Sequence, residues 1–268
     1  MKYLLVLAIA IGCMHASAQK IVDHVIIITK TSMTMPEDFS PTSAAGAGGG
    51  AQMIVINGMA AGEDNETKTW FKGDHLKTIT EMGMGLNTII TDTKSKRTTT
   101  LIEAMGTKTG FYSTEKDEQE RKQHMDSLTG QVEVTIKDVN ITDLSDGLKI
   151  AGYASKKALI KVIYTNGKVD SQLIWYTPEI KMGPAFSFKS GMMKPGISKA
   201  LEQLKGFPLK YEMITRRGII MNVEVVKLDL DKVIDDKEFD IPKDYVIKSI
   251  KDMKGPGGPG TVQIRIGN

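Results

Sequence analysis

The chain has 268 residues and a mass of 29.4 kDa, enough for one large domain or two small ones. Hydrophobic residues make up 41% and charged residues 25%, which excludes a mostly disordered, collagenous or multi-spanning chain. Lys and Arg number 35 against 32 Asp and Glu, and the net charge of +3 supplies no strongly basic face for nucleic acid.

At the N-terminus, Met1-Lys2 and the apolar run from Tyr3 to Gly12 read as an export signal, residues 1–18. Ala16-Ser17-Ala18 offers small residues for cleavage before Gln19, and the run is too short to span about 30 Å of hydrocarbon as a helix. Ala10-Ile11-Gly12-Cys13 loosely matches a lipoprotein cleavage box, with Ala10 in place of the usual Leu, so lipid anchoring through Cys13 is a second reading. Cleavage after Ala18 would remove the one cysteine and with it any disulfide, thiol nucleophile or zinc-thiolate site. Either route leads to the periplasm or cell envelope. Beyond Gln19 no apolar run is long enough for a membrane span.

Strand signals then follow one another. Lys20 to Lys30 is rich in β-branched residues, and Lys68 to Lys72 turns at Gly73-Asp74 into His75 to Glu81. Leu86 to Thr91, Arg97 to Glu103 and Thr107 to Tyr112 continue the pattern, as do Val132 to Lys137 and Leu148 to Tyr153. Ala158 to Thr165 and Lys168 to Thr177 flank Asn166-Gly167, a dipeptide that suits a type I′ turn. Pro208 to Arg216 and Ile219 to Leu230 pair around Gly218, while Glu238 to Ile241 and Thr261 to Ile266 read as short edge strands.

Two segments read as helix. Thr114 to Leu128 is highly charged, with Thr114 and Asp117 as a capping pair and only a thin apolar stripe. Ile197 to Leu204 sets Ile197, Ala200, Leu201 and Leu204 on one face. The Gly/Ala-rich stretch 36–52 reads as a flexible insert and the Gly/Pro-rich stretch 255–268 as a tail. The whole implies a single mainly β (α+β) domain over residues 19–254.

Catalytic constellations are thin. His24, His75 and His124 share no metal-ligand spacing, and no nucleophile elbow, phosphate loop or dinucleotide fingerprint occurs. The acidic clusters at 117–120 and 235–240 are interleaved with basic residues, and 6% aromatic content with two Trp provides few sugar platforms for a glycosidase. Neither a catalytic group nor a cofactor is expected. Sixteen Met are the unusual feature, with close pairs at Met33/Met35, Met82/Met84 and Met192/Met193, and with Met182, Met213 and Met221 in the later strands. Three readings stay open for them: core filling, an adaptable pocket lining, and thioether binding of Cu(I).

The order of several weak motifs carries a resemblance. Thr69-Trp70-Phe71-Lys72-Gly73-Asp74, Thr88-Ile89-Ile90-Thr91-Asp92 and Ile150-Ala151-Gly152-Tyr153 with Lys156-Lys157 come first. Leu173-Ile174-Trp175-Tyr176-Thr177, Gly206-Phe207-Pro208-Leu209, and Phe239-Asp240-Ile241-Pro242 before Tyr245 follow. From Lys20 to Tyr245 this resembles a family of secreted bacterial proteins of unknown function, distantly similar to the lipoprotein carriers LolA and LolB. The resemblance implies an incomplete antiparallel β-barrel with one or two helices at an apolar concave side, which carries acyl chains through the periplasm. An early-strand Arg governs transfer in the carriers; the nearest basic residue here is Lys77, which lacks the planar guanidinium fork.

The expected function is therefore an exported, non-enzymatic carrier or binder of lipid, lipoprotein acyl chains or another apolar ligand. The alternative is a structural or protein-interaction component of the envelope with a self-filled core and an envelope protein as partner. The pocket residues expected are Trp70, Trp175, Phe186, Phe188, Met192, Met193 and Phe207, with Lys77 at the switch position and Pro178 to Pro195 as a loop-like lid. Ordinary core packing is the competing role for each aromatic.

Overall fold

Val, Ile and Thr, whose branched Cβ favours extended backbone, dominate the computed structural model, which describes residues 19–35, 55–56, 59–60, 64–82, 85–129, 135–144, 147–183, 186, 195–214 and 219–252. The export signal, the insert at 36–52, Gly218, and the tail at 255–268 with its edge strand Thr261 to Ile266 all lie outside the described residues.

Strands β1 (Lys20–Val22) and β2 (His24–Thr34) come first, then the two-residue strands β3 (Val55–Ile56) and β4 (Met59–Ala60), which pair with each other. An up-and-down meander follows: β5 (Asn65–Lys72), β6 (His75–Met82), β7 (Gly85–Asp92), β8 (Arg97–Ala104) and β9 (Thr107–Thr114). Helix α1 (Glu115–Thr129) leads to β10 (Ile136–Leu144), the small hairpin β11 (Lys149–Ile150) and β12 (Tyr153–Ala154), then β13 (Lys156–Tyr164) and β14 (Val169–Thr177). Last come β15 (Ile180–Met182), α2 (Pro195–Leu201), β16 (Phe207–Ile214), β17 (Ile220–Asp229) and β18 (Val246–Ser249).

Twelve strands form one sheet in the order β10-β13-β14-β16-β17-β2-β5-β6-β7-β8-β9-β18, and its end strands β10 and β18 do not pair, so the sheet is open. All neighbours are antiparallel except β18, which runs parallel to β9. The sheet is thus mixed rather than wholly antiparallel. A long crossover from β17, rather than a hairpin, delivers β18 to its edge, and such a connection permits parallel pairing.

Four local expectations are corrected. Only Gly167 of the Asn166-Gly167 turn has a positive φ, +81°, so the loop is not type I′. Tyr164 and Lys168 close a three-residue loop through Tyr164 N–H to Lys168 O at 2.9 Å, and the Asn166 side chain accepts from Lys168 N–H at 3.0 Å. Leu148 to Tyr153 is not one strand: Ala151 and Gly152, at φ +49° and +89°, reverse the chain between β11 and β12. Glu238 to Ile241 is not an edge strand, because Asp235 accepts from Lys237 N–H and starts a 3-10 turn over Asp236–Phe239. The Pro178 to Pro195 segment is not all loop, since β15 pairs in parallel with β1.

Register decides which side chains share a face. On the face that carries α2, Ala158, Ile160, Val162, Ile174 and Tyr176 pack beneath Ile197, Ala200, Leu201 and Leu204, the helical stripe expected from sequence. A second cluster joins Val25, Ile27, Phe71, Phe207, Leu209 and Val225 to Val22, Ile150 and Ile180. A third gathers Ile26, Trp70, Ile234 and Phe239, where the segment after β17 crosses the opposite face. A fourth, smaller cluster contains Met33, Ile219 and Met221.

The α1 cap forms as the sequence implies. Thr114 N–H and Oγ1 donate to Asp117 Oδ2 at 2.8 and 2.7 Å, and Asp117 N–H donates back to Thr114 Oγ1 at 3.3 Å. Lys251 adds an ion pair to Asp117 at 2.9 Å and to Glu120 at 3.0 Å, tying the end of the sheet crossover to the helix. The Lys251 hydrogen bond, then those from Thr114, lower the Asp117 carboxyl to about 2. A depressed carboxyl stabilises the fold fully above the unfolded value near 3.9 and loses that contribution as pH falls toward about 2. Asp117→Asn is expected to unfold more easily than the parent at neutral pH, with the gap closing between about pH 4 and pH 2. Denaturant titrations across that range check it; a gap independent of pH would refute the linkage.

Candidate ligand-binding face

The structure brings three of the expected pocket aromatics to one place. Phe207 is buried in the cluster around Phe71, and half-buried Phe186 and Trp175 pack against it. The Phe186 ring meets Phe71 edge-on, with centroids 5.1 Å apart and planes at 88°, and lies 6.1 Å from Phe207. Trp70 does not join them. It is adjacent to Phe71 in β5, and successive strand residues point to opposite faces, so Trp70 packs with Ile26, Ile234 and Phe239 instead. Phe188, Met192 and Met193 lie outside the described residues.

Lys77 stands opposite Trp70 in the register of β5 and β6. Its ammonium sits 5.4 Å from the Trp70 ring centre and 3.7 Å from Glu238, and the side chain is only 16% exposed. The same edge of the crossover is held by Lys72, which donates to Ile234 O at 2.8 Å and to Asp236 Oδ1 at 2.6 Å. That bond holds the Asp236 carboxyl below its usual range. His75 packs its ring 5.4 Å from Phe239, and His24 Nδ1 lies 2.7 Å from Asp23 Oδ1, so both histidines have structural neighbours.

Residues that the sequence did not single out as a site make up an extended half-buried surface. On the α2 face of the meander the register aligns Thr69, Thr78, Ile89, Thr100 and Phe111 in one row and Thr67, Thr80, Asn87 and Ile102 in the next. Leu76, Thr91 and Thr98 stand in a third row, continuing from Phe71. Six of these seven threonines hydrogen-bond across strands through their hydroxyls: Thr67 to Thr80 at 3.1 Å, Thr69 to Thr78 at 3.2 Å and Thr91 to Thr98 at 3.2 Å. In each pair one hydroxyl donates and the other accepts, which lowers the polar demand of the face and leaves the methyl groups, with Ile89, Ile102 and Phe111, to dominate it. Asn87 Oδ1, on the same face, is buried without a hydrogen-bond partner among the described residues. The strands themselves were legible in the sequence; the hydroxyl pairing depends on register, which no single strand reveals.

A cleft of about 520 Å³ opens beside the Phe71 cluster, with Ile180, Leu228 and Leu230 in its walls and Glu179, Asp229, Asp231, Lys20 and Tyr153 around them. Lys20 reaches Asp231 at 3.5 Å. Burial, then Glu179 and Asp231, push the Tyr153 hydroxyl up, as expected beside carboxylates. Among the described residues no group of three His, Cys, Asp or Glu gathers to hold a metal, and no helix is long and apolar enough to cross a membrane.

A family model described as a domain of unknown function, DUF4412, matches residues 53–245. The chain belongs to this family. The matched span of this DUF4412 protein includes the whole meander and β16–β17, but not β2, which the sheet order sets between β17 and β5. Two solved structures of PNGF-II, in C2 and P21 space groups, resemble the DUF4412 chain at 14% identity with TM-scores of 0.38 and 0.34. Each match covers 85% of this chain and 31% of the other, so the DUF4412 chain spans less than a third of their length. No curated protein matches it.

Proposed function

We propose that this protein is an exported, non-enzymatic carrier or binder of an apolar ligand, a lipid or acyl chain, held against the α2 face of β5–β9. The observation that carries the reading is the threonine pairing on that face. A half-buried surface with six threonine hydroxyls already in cross-strand pairs presents mostly methyl, butyl and phenyl groups to hydrocarbon, and Asn87 Oδ1 is its one buried side-chain acceptor without a partner among the described residues. Each methylene buried there contributes about 0.8 kcal/mol, so an acyl chain binds without a designed polar site. The open sheet, with α2 on one side of it, also accords with the incomplete barrel of the lipoprotein carriers, and the sequence of residues 1–18 supports export.

A second reading, an envelope component whose hollow is filled by its own side chains and which binds another protein, draws on Phe186, which occupies the space beside Phe71 and Phe207.

Protein purified from its export compartment without detergent is expected to carry an added mass that is lost on denaturation, with fatty acyl chains in the solvent extract. Ile89→Lys and Phe111→Lys should each weaken uptake of a fluorescent fatty-acid probe by roughly tenfold or more, since either sets a charge into the buried acyl path. Leu86→Lys, on the opposite face of the same meander, should leave uptake unchanged. A clean apo mass together with no probe uptake would remove the carrier reading and favour the filled core.

A further inference from the structure

Of the sixteen methionines, four from two distant stretches of the sequence meet in space. Met213 stands opposite Met221 in the β16–β17 register, and Met221 stands opposite Met33 in the β17–β2 register. Three thioether side chains therefore lie side by side across three adjacent strands, and Met35, two residues beyond Met33, packs against the same cluster. Met33 and Met221 are buried, while Met35 and Met213 are half-buried and form the open side.

Core filling alone does not account for the placement. Where the sheet needs apolar volume elsewhere, the buried members of its two large clusters are Ala, Val, Ile, Leu, Phe and Tyr, and methionine enters only half-buried at their margins, as Met213 and Met182. Methionine suits irregular gaps, yet Met33, Met213 and Met221 lie in regular ladder register, where branched residues pack as well. What distinguishes the four is sulfur. Neighbouring strands are about 4.8 Å apart, and three freely rotating side-chain bonds let thioethers on adjacent strands converge on one point.

We propose that Met33, Met35, Met213 and Met221 form a binding site for a soft monovalent metal ion, Cu(I) in the first instance. Thioethers are soft, neutral donors that select Cu(I) over zinc, calcium or magnesium. The ion keeps its charge when neutral ligands bind it, so the site must not be sealed, and the half-buried Met35 and Met213 leave it that access. Because thioethers carry no proton, binding should not compete with protons, unlike sites built on His, Cys or carboxylates. The site is independent of the acyl-binding reading: it lies on β2, β16 and β17, not on the meander.

The test uses Ag(I), a redox-inert stand-in, titrated into the full chain labelled with carbon-13 at the methionine methyls. Native mass spectra should show Ag(I) retained, and the methyl signals of Met33, Met35, Met213 and Met221 should move while that of exposed Met105 stays in place. The variant with all four changed to Leu keeps volume and apolarity, and its affinity should fall by about tenfold or more, no less than the loss of an outer-shell group costs ordinary metal sites. Affinity in the parent should be the same from about pH 7 to pH 4. Methyl shifts confined to other methionines, unchanged affinity in the Leu variant, or binding lost through the histidine titration range would each overturn the site. If the Leu variant does not fold, the methyl shifts in the parent decide alone.

Discussion

Phe71→Ala is expected to lower the unfolding free energy by about 3–5 kcal/mol, the range for removing a buried phenyl ring from a packed core. Phe71 is 2% exposed, opposes Val25 on one side and Leu76 on the other, and receives the edge of Phe186. The neighbours belong to a strand interior and to a ring from a separate segment, so they cannot collapse together into the space left behind. At roughly 2–4 °C per kcal/mol for a chain of this size, the melting temperature should fall on the order of 10 °C. Phe186→Ala, at a half-buried position, should cost less, and the double variant should recover about 0.5–1.5 kcal/mol of aromatic coupling. A Phe71→Ala loss below about 1 kcal/mol would mean that the cluster does not exist as described.

Gly206→Ala should be nearly as damaging by the opposite mechanism. A Cβ built at Gly206 would lie 2.2 Å from the carbonyl oxygen of Thr177 and 2.7 Å from Cδ2 of Tyr176. Thr177 is fully buried, and its backbone pairs with Phe207, the residue after the glycine. Relief requires the β14–β16 ladder to separate at its irregular end, because a carbonyl in a sheet cannot rotate aside as a long side chain can. Overpacking of this kind costs about 1–3 kcal/mol when side chains yield, and a backbone obstacle belongs at or above the top of that range. Urea unfolding measures the loss, and hydrogen exchange should show the amides of Thr177 and Phe207 opening first. An alanine variant as stable as the parent would contradict the close approach.

The strands of the meander were legible because each hairpin carries its own signal: Lys68 to Lys72 and His75 to Glu81, with Gly73-Asp74 between them. The α1 cap and the α2 stripe were legible for the same reason, since both are interactions within a few residues. Errors arose where a local motif has several solutions. Asn166-Gly167 admits both a two-residue and a three-residue loop, and the flanking register selected the latter. The pocket aromatics show another limit. Trp70 and Phe71 are neighbours in the sequence, and only knowledge of which sheet face is covered tells them apart; the reading singled out Trp70, whereas Phe71 joins Phe186 and Phe207. The methionines show it most plainly, because Met33 meets Met213 and Met221 only through pairings between the two ends of the chain.

Strand β2 has a bearing on how the molecule assembles in time. The hairpins β5–β9 close turns of a few residues and can form within microseconds of one another. The centre of the sheet cannot, because β2 must wait for β17, and their ladder joins Ile26 to Asp229. Closing so long a loop costs entropy before the contacts form, so this docking is expected to limit the overall rate, and stopped-flow refolding should show Ile27 or Val225 substitutions slowing folding more than Ile89 substitutions. Until β17 arrives, the apolar strand Val25-Ile26-Ile27-Ile28 presents an unpaired backbone edge, and a nascent or truncated chain ending before Ile220 is expected to aggregate more readily than the full chain.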